Sequence, residues 1–153
     1  MVSLKTHKGV SQRLILEAEG SVTAFVQTTQ AEQLTGYQVK ADRLRLDRQS
    51  RETVFSGSVW ADSEEFEVET SEMTLWFDGP EMQTLLRMIA EGDVRLSEKD
   101  RRATGDRAVY LPAEGKVTVT GEMAQVIDSK QGKAIGRKLT FTLGDDTLLI
   151  EGQ

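Results

Sequence analysis

The sequence predicts an all-β protein, an open, stacked antiparallel β-jellyroll of V-shaped section built from about four to five glycine-centred repeats. Two observations support this fold class. A strand pattern with glycine at its middle recurs along the chain, and turns rich in Gly, Asp, Ser and Lys separate it from a second kind of alternating strand. Because 153 residues suit one domain, we expect a single jellyroll over residues 1–153, truncated at its N-terminus.

The repeated strand has the pattern apolar-x-apolar-x-Gly-x-apolar-x-apolar. It occurs as LEAEGSVTA around Gly20, TVFSGSVWA around Gly57, MIAEGDVRL around Gly92 and VTVTGEMAQ around Gly121. The final residues, LLIEGQ, begin a fifth copy. Glycine on the inward face of a strand marks a bend or the close approach of another surface. We therefore expect these glycines to form a column along which one sheet bends into two facing halves.

Side chains two and four positions from each glycine lie on the same face of the strand as the glycine. These positions are mostly apolar and those between them mostly polar, which is typical of a half-buried antiparallel strand. After Gly121 the pattern assigns Met123 and Gln125 to the inward face, whereas Ala124 and Val126 fall on the other face. The register of the fourth unit therefore stays open.

A second strand returns from each turn, in ADRLRLD from Ala41, TSEMTLWFD from Thr70, GDRAVYL from Gly105 and GRKLTFTL from Gly136. The stretch SEKDRRATGD from Ser97 is expected to be a turn. Residues 80–92 have helix-forming composition with proline at the start, but the repeat places them in a strand, and we expect a strand. A parallel β-helix fits less well, because its coils need fewer residues and no hairpin turns.

Composition limits the function. The net charge of −6 argues against nucleic-acid binding, because phosphate contacts require a field of Lys and Arg. The absence of cysteine excludes disulfides and thiolate metal sites. No apolar run approaches the ~20 residues of a membrane-spanning helix. The N-terminus has no signal-peptide h-region, so an exported protein would be a mature or trimmed chain here.

Several segments resemble the OstA-type domain of lipopolysaccharide transport proteins. They are the strand start GDRAVY from Gly105, the glycine strand KVTVTGEM from Lys116 and the strand IGRKLTF from Ile135. The stretch VKADRLRLDRQSRETVFSGSVWA from Val39 resembles an earlier copy of the unit, and the resemblance covers residues 36–152. It is closest to the periplasmic bridge protein LptA, while the periplasmic domain of LptC and the N-terminal domain of LptD share the fold.

The resemblance implies a non-enzymatic periplasmic protein whose apolar groove shelters the acyl chains of lipopolysaccharide while the sugars stay in water. The alternation of side chains predicts the lining of such a groove: Val59, Leu75, Phe77, Val94, Leu96, Tyr110, Val117, Val119, Leu139 and Phe141. The alternative is that these residues form an ordinary packed core.

The resemblance also implies LptC-like and LptD-like jellyroll partners. An open sheet leaves a strand at each end that can pair with a strand of another molecule. Because the two edges differ, such an assembly, including a homo-oligomer, is head-to-tail and open-ended. The alternative is a monomer whose edges are protected by charges such as Glu151, Lys5 and Lys8.

No catalytic residue, metal site or cofactor is predicted. The single histidine, His7, lies near the terminus, and Glu64–Glu65 and Asp145–Asp146 do not form acid–base pairs, because neighbours on a strand point to opposite faces. Trp60 and Trp76 lie on the outer face and leave a structural or glycan-binding module as the alternative function. Two basic clusters are expected to be solvated or to meet lipid phosphates: Lys99, Arg101, Arg102 and Arg107, and Lys130, Lys133, Arg137 and Lys138.

Overall fold

The computed structural model describes the backbone of residues 3–8, 14–30, 33–79, 81–145 and 147–151, and the side chains of residues 17–29, 34–79, 81–145 and 147–151. The side chains of Lys5, His7 and Lys8 and residue Asp146 therefore lie outside the described residues. The strands are β1 Ser3–Lys8, β2 Leu14–Gln30, β3 Gln33–Asp47, β4 Glu52–Asp62, β5 Glu67–Asp78, β6 Thr84–Glu98, β7 Arg101–Leu111, β8 Lys116–Asp128, β9 Gly132–Thr142 and β10 Leu148–Glu151.

The described strands form one open antiparallel sheet in which each strand pairs with its neighbours in sequence, in the order β1 to β10. The predicted all-β class is confirmed, and so is the strand in place of a helix after Pro80, where β6 begins at Thr84. The predicted turn from Ser97 is too long, because β7 already begins at Arg101. No helix long and apolar enough to cross a membrane occurs in the described part of the chain.

The register of neighbouring strands shifts at the glycines that the sequence singled out. Gly20, Gly57 and Gly92 have φ values of 96°, 82° and 87°, and the pairing shifts beside each of them. Ser58 and Asp93, which follow two of these glycines, also have positive φ. Such bulges bend a strand, and glycine adopts positive φ without steric cost.

Gly121 behaves differently from the other three glycines. Its backbone is not left-handed, and the pairing of β8 with β9 shifts over Thr120 to Ala124. The corresponding shift in β6, between Glu91 and Val94, is one residue shorter. The additional residue turns β8 over, so Met123 is 74% exposed and Ala124 is buried. Of the two registers that the sequence left open after Gly121, the structure therefore has the one in which Ala124 and Val126, and not Met123 and Gln125, continue the inward row.

The bulges divide the sheet into two arms, which we call arm A and arm B. Arm A contains β1, β10 and residues 14–19, 43–47, 52–56, 72–78, 84–91, 107–111, 116–120 and 138–142. Arm B contains residues 22–30, 33–41, 59–62, 67–70, 94–98, 101–105, 124–128 and 132–136. Buried side chains of both arms form a single hydrophobic cluster. The arms therefore face each other across one shared interior.

The far ends of the two arms meet along a line that we call the slit. Near the N-terminal end, the backbone N–H of Thr29 donates to the carbonyl of Gln83 at 2.7 Å. At mid-length, the Tyr110 hydroxyl donates to a Glu65 carboxylate oxygen at 3.3 Å. Near the C-terminal end, Arg101 donates to the carbonyl of Thr142 at 2.9 Å. Hydrogen bonds thus close the slit at three points along its length.

Candidate functional site

All ten residues predicted to line a groove lie inside the shared interior. Each of them is buried and belongs to the hydrophobic cluster, and Leu75, Val117, Val119 and Leu139 have no exposed surface. In this structure they contact one another between the arms, as the packed-core alternative predicts. A hydrocarbon chain could enter only if the side chains rearranged or the arms moved apart.

A largely apolar cavity of about 270 Å³, which we call the end cavity and whose lining also includes Arg48 and Glu81, lies between the arms close to their N-terminal end. Its apolar lining includes Ala24, Val26, Leu44, Leu46, Phe55 and Phe77. Only Phe77 was among the ten predicted residues. Leu44 and Leu46 could have been found from the alternation in ADRLRLD, which puts them on the same face of β3.

A second cavity, of about 660 Å³, lies at mid-length along the slit, and we call it the slit cavity. Tyr37 and Tyr110 line it together with Glu64 and Glu65. The Phe66 ring joins the two tyrosines, with centroids 6.2 Å from Tyr37 and 5.0 Å from Tyr110. Tyr37 was not predicted, although Tyr37, Val39 and Ala41 alternate along β3.

Burial raises the pKa of Tyr37 to about 12, and the charge of Glu65 acts in the same direction. Burial, followed by the charges of Tyr37 and Glu65, raises the pKa of Tyr110 even further. A buried phenol is favoured in its neutral form because the low-dielectric interior solvates phenolate poorly. The two hydroxyls therefore stay protonated at neutral pH.

We expect alkaline pH to destabilise the protein through these two tyrosines. A phenol whose pKa is raised by folding stabilises the fold fully below pH 10, and this contribution is lost as the pH rises towards the folded-state pKa. The raised pKa of Tyr37 alone should make the free energy of unfolding about 3 kcal/mol lower at pH 12 than at pH 10. Urea unfolding at several pH values measures the loss, and tyrosinate absorbance follows both phenols, since the chain has two tyrosines.

The control for this pH dependence is Tyr37→Phe, which removes one of the two phenols and should make the alkaline loss smaller. Native-state titration of both phenols near pH 10 would contradict the prediction.

A buried ion pair closes the C-terminal end of the slit. Arg101 and Glu98 are only 7% and 3% exposed, and an Arg101 Nη2–Glu98 Oε1 hydrogen bond of 2.6 Å joins them. The Arg101 guanidinium lies 4.7 Å from the centroid of the Phe141 ring. The backbone N–H of Gly144 donates to the second Glu98 oxygen at 2.7 Å. The expectation that Arg101 is a solvated or phosphate-binding residue is therefore wrong.

The other predicted surface residues lie outside the interior. Lys40 and Arg87 lie over the rings of Trp60 and Trp76, at 5.4 and 4.2 Å from their centroids, so neither indole is an uncovered platform. The remaining members of the two basic clusters are exposed: Lys99, Arg102, Arg107, Lys130, Lys133, Arg137 and Lys138. No group of three or more His, Asp or Glu side chains that could hold a metal occurs among the described residues.

Comparison with known proteins agrees with the resemblance in sequence. The family described as LptA/(LptD N-terminal domain) LPS transport protein matches residues 38–147. No curated protein sequence matches the chain. The crystal structure of LptH, the LptA-homologous periplasmic component of the conserved lipopolysaccharide transport device of Pseudomonas aeruginosa, is similar, with a TM-score of 0.68. It is 18% identical, and the likeness covers 76% of this chain and 82% of LptH, which shows the same fold.

The matched family and the observed architecture lead to one assignment. A bent, open sheet with an apolar interior is what the resemblance implied, and the family match covers well over half of the sequence. The chain therefore belongs to the LptA/LptD N-terminal-domain family of lipopolysaccharide transport proteins.

Proposed function

We propose that this protein carries lipopolysaccharide through the periplasm, with the acyl chains between the arms and the sugars in water. The observation that carries the proposal is the apolar interior that both arms share from β2 to β10. Each methylene moved from water into such an interior contributes roughly 0.8 kcal/mol. The buried charged residues among the described residues are Asp47, Glu98 and Arg101. Asp47 accepts hydrogen bonds in the turn after β3, and the other two lie at the slit.

The contacts across the slit suggest how an acyl chain could enter the interior between the arms. At mid-length, the Tyr110 hydroxyl interacts with Glu65 and with the Tyr37 hydroxyl, whereas the strand pairing continues through every hairpin of the sheet. Moving the arms apart would therefore break few hydrogen bonds and leave the sheet paired. The glycine bulges provide the bend about which the arms could move, and the end cavity offers space for the first methylenes.

Photo-crosslinking in cells that make lipopolysaccharide tests this proposal. A photoreactive residue replacing Val119, Leu139 or Phe141 should form adducts with lipopolysaccharide, because these side chains face the interior. Thr118 and Thr140 are matched controls, since they neighbour these positions on the outer face, with their hydroxyls 3.1 Å apart, and should form none. The absence of adducts at all three inward positions would overturn the lipid-binding proposal.

We also propose end-to-end assembly with LptC-like and LptD-like jellyrolls or with further copies of this chain. In arm B, residues 22–28 of β2 pair only with β3, and residues 132–136 of β9 pair only with β8 among the described residues, whereas the N–H of Thr29 is occupied by Gln83. Each of these edges presents backbone groups that a strand of another molecule can pair with. Because the two edges differ, they support a head-to-tail arrangement.

We expect Phe25→Pro to prevent this assembly. The N–H of Thr29 points away from β3, to Gln83, so the N–H of Phe25, at the same parity, also faces the free edge of β2. Proline removes that donor, and the 76% exposed Phe25 side chain contributes little to the core. Sedimentation velocity over a range of concentrations should show larger species for the unchanged chain and monomers for the variant.

The control for the edge is Phe25→Ser, which removes the aromatic ring and keeps the N–H. It should assemble like the unchanged chain if backbone pairing drives the contact. A proline variant that stays folded by circular dichroism and still assembles would show that this edge is not the interface.

A further inference from the structure

We infer that residues 81–83 form a strap at the N-terminal end of the interior, and that a strand pairing with the free edge of β2 displaces this strap and opens the end cavity. This inference rests on the proposed end-to-end assembly. It adds a conformational change that couples assembly at the β2 edge to access to the interior.

The strap joins the far ends of the two arms. Residues 81–83 lie between β5 and β6, at the end of arm A, and the carbonyl of Gln83 accepts the N–H of Thr29 from β2 of arm B at 2.7 Å. The Met82 side chain packs against the hydrophobic cluster and lines the end cavity, together with Glu81. The strap therefore forms part of the wall of the end cavity. Moving the strap away from β2 would widen the opening of that cavity.

The strap also occupies one end of the edge that a partner strand would use. In an antiparallel pair, the N–H groups of alternate residues point to opposite sides of the strand, so those of Phe25 and Thr29 both face away from β3. Along residues 22–28 this edge can accept a further strand, whereas at Thr29 the strap already provides the acceptor. A strand that pairs along the whole edge must therefore replace the carbonyl of Gln83 as the partner of Thr29.

The strap is held in a way that permits its release. Met82 has a φ of 54°, a left-handed conformation that is unfavourable for a residue with a side chain. The N–H of Met82 donates to the carbonyl of Gly79 at 3.1 Å, and the N–H of Glu81 donates to Oε1 of Gln83 at 3.2 Å, so these bonds stay within the loop. Thr29 and Gln83 are exposed, so another backbone can compete for their hydrogen bond. Displacement would exchange that bond for one of the same kind and release the strain at Met82.

The reactivity of a thiol at position 82 tests the inference, because the chain has no cysteine of its own. In Met82→Cys the thiol should react slowly with N-ethylmaleimide in the dilute monomer and about fivefold faster where sedimentation velocity shows assembly. Glu81→Cys, at an exposed position of the strap, is the control and should react equally fast in both states. Equal or slower reaction of Met82→Cys on assembly would overturn the inference alone. Absence of assembly in the unchanged chain would overturn the proposed assembly of copies, and the inference with it.

Two proline variants, each combined with Met82→Cys and checked for folding by circular dichroism, separate release of the strap from assembly. Thr29→Pro removes the donor that holds the strap, and proline is tolerated where the N–H of an edge strand faces outwards. Its thiol should react fast even in the monomer. Phe25→Pro removes a donor of the same parity and keeps that of Thr29, so its thiol should react slowly at every concentration. Slow reaction in folded Thr29→Pro, or fast reaction in folded Phe25→Pro, would overturn the inference.

Discussion

Replacing Arg101 by methionine is expected to lower the free energy of unfolding by about 3–5 kcal/mol. Arg101 forms hydrogen bonds to Glu98 and to the backbone of Thr142, and it covers the ring of Phe141. Without it, the Glu98 carboxylate stays buried at 3% exposure with no cation to compensate its charge. Urea unfolding, followed by the fluorescence of Trp60 and Trp76, measures the loss.

Two further variants separate the buried pair from ordinary surface charge. Lys130→Met removes an exposed lysine 3.5 Å from Asp100 and should cost less than about 1 kcal/mol. The double variant Glu98→Leu with Arg101→Met removes both charges and should recover much of the lost stability, because no uncompensated ion remains. A loss below about 1 kcal/mol for Arg101→Met would show that the pair does not hold the slit closed.

Replacing Phe55 by alanine is expected to have a comparable effect, a loss of about 3–5 kcal/mol. Phe55 is fully buried, belongs to the core cluster and lines the end cavity. Truncation removes its apolar contacts and joins the vacated volume to a cavity that already measures about 270 Å³. The cost depends on how far neighbouring side chains can collapse into that space.

The matched control is Phe25→Ala, the same substitution on a phenylalanine that also lines the end cavity but is 76% exposed. It should change the free energy of unfolding by less than about 0.5 kcal/mol. The enlarged end cavity of Phe55→Ala should also capture more of a photoreactive fatty acid than the unchanged chain does, because the space is apolar. Equal destabilisation by the two variants would contradict the position of Phe55 in the core.

The repeat predicted the strands because alternation and turn residues are local signals. It also located the bends, since glycine is favoured at Gly57 and Gly92 by the left-handed backbone and by the close approach of Asp42 and Ser71 to the place of a Cβ atom. The same parity argument left two registers open after Gly121, where an additional bulge residue leaves Met123 exposed and Ala124 buried. The length of this bulge depends on how β8 pairs with β9, and the sequence of β8 alone does not fix that pairing.

The contacts that close the slit could not be predicted from sequence. Glu98 and Arg101 lie in SEKDRRATGD, which has the composition of a solvated turn, and they are buried because residues 41 and 46 positions further along the chain cover them. The slit cavity likewise brings together residues of β3, β7 and the loop before β5. The prediction of the lining found Tyr110 and missed Tyr37 and Glu65, its partners there.

By itself, then, the amino-acid sequence determined the strands, the glycine column and the apolar inward rows, because each follows from side-chain alternation and backbone conformation over a few residues. Only the tertiary structure decided which hairpin ends meet across the slit, that the apolar rows fill the space between the arms, and where a polar cavity interrupts the closure. These features depend on how the bend and twist of the sheet bring distant segments together, and local sequence carries no record of that geometry.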